Sequence, residues 1–261
     1  MKESGDKTQN LFQKKGQVTI FIVIAVVIIA IGILGYIFYP KIISSFGIEP
    51  ESPSDFIQSC IEEEIENSVE KLSLQGGSIN PEHYIVYGNE KIEYLCYTNE
   101  YNKLCVMQQP MLKQHIESEI EKEIRTQAEK CFDDLKESYE KKDYDVNLKR
   151  DAMSIELLPK RIVATFNYSL TLTKDSSKQY ESFRVVVNNN LYELVSITNS
   201  ILNWEARYGD AETTTYMNYY HDLKVEKKKQ SDGSTVYILT DRNTGSKFQF
   251  ASRSNAWPPG Y

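Results

Sequence analysis

Residues 19–39 carry no charged side chain. From Ile20 the apolar run continues through Gly32 and Gly35 to Phe38. About 20 apolar residues rising about 1.5 Å each cover about 30 Å, the thickness of a hydrocarbon core. In a helix the remaining polar groups, the backbone amides, satisfy one another. A buried core helix rarely stays apolar on all faces over such a length, and this run does. It is longer than the apolar region of a signal peptide, and no small-residue cleavage site follows it. The chain therefore reads as a single-span anchor with residues 19–39 in the lipid bilayer.

Lys14 and Lys15 lie directly before the run, whereas Lys41, Glu49 and Glu51 follow it. Positive flanks stay in the cytoplasm, so residues 40–261 are expected outside, giving a single-pass plasma-membrane protein with a cytoplasmic N-terminus. Residues 1–39 sum to +2 and the whole chain to −7, so the outer part is acidic. That balance excludes a generic basic nucleic-acid binder.

The sequence Lys14-Lys15-Gly16-Gln17 followed at once by the apolar helix resembles the class III signal peptide of archaeal type IV pilin-like proteins. The resemblance implies a leader peptidase that cuts between Gly16 and Gln17 on the cytoplasmic side and leaves the helix attached. The fifth residue after that bond is Phe21, where many pilins carry Glu. The start of the chain and its cysteine-bearing helix pair are also similar to anchored archaeal surface proteins that begin the same way, a likeness that implies no activity. The expected organisation is a leader at 1–16, a transmembrane helix at 17–39 and a linker at 40–54, the last broken by Pro40, Gly47, Pro50 and Pro53. A helical segment at 55–142 and a β-rich segment at 143–261 follow.

Asp55 and Gln58 are spaced as a capping box. Beyond them Ile57, Ile61, Ile65 and Val69 recur every four residues, Glu62, Glu63, Glu64 and Glu66 fill the other face, and Gly76-Gly77 stops the helix. A second helix opens near Pro110. Its stripe is Leu112, Ile116, Ile120, Ile124, Ala128, Phe132 and Leu135. Each stripe needs a cover, and the simplest is the other helix. The Glu-rich faces read as solvated. Between the helices, Tyr84, Val86 and Tyr87, then Ile92, Tyr94 and Tyr97, flank Gly88-Asn89, a hairpin signal.

The four cysteines, Cys60, Cys96, Cys105 and Cys131, all lie in the expected outer part. An even count there favours disulfides. Cys60 is early in the first helix and Cys131 late in the second, so antiparallel packing pairs them, leaving Cys96 with Cys105 across a hairpin-sized loop. No C-x-x-C occurs, which argues against a zinc ribbon or redox dithiol.

Strict alternation over 162–173, with Ile162, Ala164, Phe166, Tyr168, Leu170 and Leu172 on one side, predicts a strand with one wet face. A turn at 174–178 returns it through Phe183, Val185 and Val187. Residues 188–207 change to helical period, with Leu191, Leu194, Ile197, Ile201 and Trp204 as the stripe and Gly209 as the stop. Residues 213–229 fit helix or strand. A last hairpin joins Val236 and Ile238 to Phe248 and Phe250. The fold class is α+β: a disulfide-linked helix pair and an antiparallel sheet with a covering helix.

Asn167-Tyr168-Ser169 is a glycosylation sequon, with Asn167 on the polar face of its strand. No catalytic, metal-binding or cofactor motif is present in the sequence. His83, His115 and His221 are far apart; His115 reads as a helix-surface residue, and His221 beside Asp222 as an exposed structural histidine. Lys227-Lys228-Lys229 reads as a solvated run. Of the 18 tyrosines, five cluster at 84–101 and three at 216–220, and tyrosine suits recognition surfaces. The expectation is a non-enzymatic, anchored envelope protein that binds, scaffolds or assembles at the cell surface, with other envelope proteins or its own copies as partners. The alternatives are a pilin-like filament subunit and an anchored extracytoplasmic hydrolase.

Overall fold

The computed structural model describes residues 52–258, together with Val27. The leader with Gly16 and Gln17, the apolar run 19–39 apart from Val27 and most of the linker lie outside the described residues. Among the described residues no helix is long and apolar enough to cross a membrane.

Helix α1 (Pro53–Leu74) buries Ile57, Ile61, Ile65, Val69 and Leu72. It starts two residues before the expected capping box, so the linker's last two residues are helical. Gln58 serves no cap. Its amide instead grips the backbone of Val186, accepting from N–H and donating to C=O, both at 3.0 Å. The helix ends at Gly76, whose φ is +87°; a Cβ there would lie 2.8 Å from Glu93 Cβ. Helix α2 (Leu112–Glu140) opens two residues after Pro110, and its whole expected stripe is buried. The two helices pack antiparallel, with Cys60 bonded to Cys131 near one end and Lys71 paired to Glu123 at 3.3 Å.

Strands β1 (Tyr84–Tyr87) and β2 (Glu90–Tyr97) form the first hairpin, and the short β3 (Val106–Met107) returns on β2. Cys96 on β2 is bonded to Cys105. Six strands then form a kinked meander: β4 (Asp145–Lys149), β5 (Met153–Leu158), β6 (Arg161–Phe166), β7 (Ser169–Thr173), β8 (Ser177–Tyr180) and β9 (Phe183–Asn188). The expected single strand at 162–173 is broken at Asn167 and Tyr168. The Asn167 N–H there bonds the Ala152 carbonyl, and pairing passes from β5-β6-β9 to β4-β7-β8. Alternation survives the break, because Tyr168 and Leu170 stay buried beside Phe166.

Helix α3 (Leu191–Tyr208) ends at Gly209 in the left-handed region, φ +80°. The ambiguous stretch resolves into a short helix α4 (Thr214–Tyr219) and strand β10 (Leu223–Lys229), and β11 (Thr235–Asp241) and β12 (Lys247–Arg253) complete the expected last hairpin. The larger sheet runs β1-β2-β12-β11-β10, with β3 also on β2. Its β2–β12 pair is parallel, unlike the antiparallel sheet expected. The two strands are far apart in the chain, so no tight turn dictates their direction.

The boundary at 142/143 divides the chain but not its core. Strand β2 lies in one sheet with β10–β12, and a single apolar cluster takes in α1, α2, α3 and strands from both segments. Residues Pro53–Tyr261 form one compact unit.

Replacing Cys60 and Cys131 with Ser should cost about 4 kcal/mol of unfolding free energy, because that bond closes the longer loop; Cys96 and Cys105 should cost about 3 kcal/mol. Denaturant titration of the oxidised protein and the two double variants measures both. Equal losses would contradict a loop-length origin.

Candidate functional site

Helix α3 is rotated relative to the expected stripe. Leu191, Leu194 and Ile201 face the core as expected, joined by Val195, Leu202, Thr198 and Glu205. Trp204 is 45% exposed instead, with its ring against Tyr208 at 4.7 Å. The rotation turns Tyr192, Glu193 and Ile197 toward the corner where α4 meets β10. There Tyr220 leaves the helix in extended conformation and its carbonyl accepts from Leu223 N–H. This tight turn projects His221 and Asp222 outward.

An open groove of about 530 Å³ lies between these two walls. Tyr219 is 78% exposed and Tyr220 48%, with their rings edge to face at 4.8 Å. Glu193 accepts the Lys160 N–H at 3.0 Å through Oε1, while its Oε2, shielded from solvent, has no hydrogen-bond partner. Asp241, also on the rim, is fully used by Asn190, Asn243 and Thr244. Among the described residues the side chains of His221 and Asp222 make no hydrogen bond or ion pair. The groove thus presents aromatic surface beside the exposed side chains of His221 and Asp222. His221, Asp222, Tyr219 and Tyr220 stand out in the sequence. Tyr192 and Glu193 do not, because helical period alone does not reveal which way the helix is turned.

A serine–histidine pair does exist elsewhere. Ser78 Oγ lies 2.7 Å from His115 Nε2 and donates to Glu93. His115 is therefore half-buried in a network and is not the surface residue expected. Ser78 is only 5% exposed, and its hydroxyl is already shared by two partners, so the pair acts as a staple between the 75–82 loop, α2 and β2. The Glu faces of α2 are likewise not simply solvated: Glu119 accepts the Ile79 N–H at 3.1 Å and Glu117 the Leu157 N–H at 2.8 Å. Burial raises the Glu93 pKa, with Glu119 and Glu82 adding to it and the Ser78 hydroxyl opposing. Burial lowers that of His115, against the pull of Glu119.

The deepest acid is Glu205, 2% exposed. Tyr237 donates to its Oε1, as does Ala211 N–H at 3.0 Å, and Ser252 donates to Oε2 at 2.9 Å. Burial pushes its pKa up, and these donors together with Lys227 hold it back. Lys227 is no solvated lysine: it is held by Asp210 and the Ala211 carbonyl. Lys228 pairs with Glu226 at 3.0 Å. His83 packs its ring on Tyr94 and Tyr97. Asn167 is exposed at the break between β6 and β7, not mid-strand. Among the described residues no three His, Cys, Asp or Glu side chains gather as a metal site.

Three variants probe these buried acids. Glu205→Ala strands three donors and should cost about 3 kcal/mol or more, whereas Glu205→Gln keeps the acceptor on one side and should cost less; thermal unfolding of both measures the difference. For Glu93 the raised pKa makes its contribution to stability full below about pH 4.5, lost as pH rises through the folded value. His115 has the opposite sign: its contribution is present above about pH 6.5 and falls as pH drops through its lowered folded value. Glu93→Gln should therefore gain on the wild type as pH rises from acid to neutral. A parallel pair of stability–pH curves would show that Glu93 does not titrate as described.

Compared with known proteins, the chain matches no protein-family model, no curated protein and no solved structure.

Proposed function

We propose that this chain is a single-span envelope protein whose disulfide-stabilised outer domain binds at the cell surface and carries out no reaction. The observation that carries the reading is the pairing of all four cysteines within the domain, Cys60 with Cys131 and Cys96 with Cys105. Such bonds persist in oxidising compartments. The uncharged run at 19–39, preceded by Lys14 and Lys15, supplies the anchor and the orientation that put the domain outside. The Tyr-rimmed groove beside α3 supports binding, since tyrosine gives large amphipathic contact area.

A pilin-like subunit is the special case in which a leader peptidase cuts between Gly16 and Gln17 and the freed helices of many copies pack together. The motif at 14–17 favours it, and Phe21 at the fifth mature position weighs against filament assembly.

Intact mass of the protein extracted from native membranes, alkylated with and without prior reduction, tests both readings. Thiols that label only after reduction, on a protein lacking residues 1–16, are the expected result. Four thiols labelled without reduction would place the domain in a reducing compartment and overturn the proposal. A full-length mass would remove the pilin-like case and leave the anchor.

A further inference from the structure

We propose that Asn167 carries an N-linked saccharide, a reading that rests on the outward placement of the domain proposed above. Asn167-Tyr168-Ser169 is the only Asn-x-Ser/Thr sequence in the chain, the acceptor pattern for attaching a sugar to an Asn amide. The fold leaves room there for a transferase and for a bulky product. Asn167 and Tyr168 fall in the gap between β6 and β7, and neither has a partner in the register of the two small sheets. The flanking rings, Phe166 and Tyr168, both pack on Phe132 of α2, with centroids 5.4 and 4.7 Å away. Successive side chains of an extended segment point to opposite faces. Asn167, between those two rings, therefore points away from α2, and it is exposed.

The two groups that define the acceptor stand together. Alternation brings Ser169 to the same face as Asn167. Among the described residues, neither the Asn167 amide nor the Ser169 hydroxyl makes a hydrogen bond, so neither has to be released from a partner. The segment is held by its main chain instead, through the Asn167 N–H and the Ala152 carbonyl at 3.0 Å. The donor is a saccharide joined through its anomeric carbon to a polyprenyl phosphate or diphosphate. In the transfer, Asn167 Nδ2 forms a bond to that carbon. The bond from the carbon to the phosphate oxygen breaks, and its electron pair leaves with the phosphate. Nδ2 gives up one proton to a carboxylate of the transferase, and nothing is oxidised or reduced. The attached saccharide stands on the face of the meander opposite α2, where it displaces no core packing.

The test uses the full-length protein expressed in its native cells and extracted from their membranes. Its mass is measured intact and after proteolysis, and thiol alkylation with and without reduction reports the disulfides. The wild type is compared with Asn167→Gln, Ser169→Ala and Ser169→Thr, the last of which keeps the sequon. Asp175→Asn is the control for compartment, since with Ser177 it completes a second sequon in the exposed turn between β7 and β8. A mass increment of whole sugar residues on the peptide containing Asn167 is expected, lost entirely in Asn167→Gln and Ser169→Ala and kept in Ser169→Thr. An unmodified Asn167 in the wild type overturns the inference, as does an increment that survives Asn167→Gln. Sugar gained by Asp175→Asn with none on Asn167 would sink this inference alone and leave the domain outside. With neither site modified the inference falls as well; thiols protected until reduction would then keep the outward placement, and thiols labelled without reduction would remove it.

Discussion

The domain is organised around the carboxylate of Glu205. It sits on the buried face of α3 and takes donors from Tyr237 on β11, from Ser252 on β12 and from the Ala211 backbone. Its own carbonyl accepts the Ser254 hydroxyl, and Ser254 accepts the Cys105 N–H. One residue thus joins α3, the centre of the large sheet and the loop closed by Cys96 and Cys105. A lone buried carboxylate is strongly disfavoured; one with three donors can be kept, and its loss would leave those donors without partners in the core. The same low-dielectric surroundings push the Tyr237 hydroxyl well above its usual pKa, so it remains a donor.

The order of the strands follows from where the helices must lie. Helices α1 and α2 bury their stripes on each other, and both also press on the meander, α1 against β9 and α2 against β5. Helix α1 reaches β12 of the other sheet as well. A helix layer in contact with two sheets needs each to present one apolar face. The meander does so through strict alternation. In the large sheet the inner face carries Tyr237, Leu239, Phe248 and Phe250, and the outer face a smaller apolar cluster of Ile92, Tyr94, Val236 and Ala251. Tyr87 and Tyr97 rim that outer cluster, which accounts for part of the tyrosine excess as half-buried edge packing.

Local periodicity made much of this readable. The α2 stripe is unbroken over seven positions and all seven are buried, because a helix with a single apolar face has one way to turn. The alternation at 162–173 correctly buries Ile162, Ala164, Phe166, Tyr168, Leu170 and Leu172 but misses Val163, which is buried as well, and it conceals the break at Asn167, since a kink that preserves alternation leaves no trace in the pattern. What failed did so through partners distant in the chain. Gln58 resembles half of a capping box, but its amide is taken by Val186, 128 positions on. The apolar stripe of α3 reads Trp204 inward, whereas the buried position falls to its neighbour Glu205. The groove shows the same limit: Tyr219, Tyr220, His221 and Asp222 are conspicuous as a cluster, but the wall opposite them depends on the rotation that Glu205 imposes.

That dependence also separates the groove's rigid wall from its variable one. Tyr192 and Glu193 stand on a helix whose other face is fixed by apolar packing and by the Glu205 donors. Helix α4, which carries Tyr219, buries no residue at all, and the turn after it is set by backbone hydrogen bonds at Tyr220 and Leu223. Substitution at Tyr219, Tyr220, His221 or Asp222 therefore alters this wall of the groove while leaving the core packing intact. The residues on this wall are therefore not the ones that hold the fold, as in loops carried on a rigid scaffold.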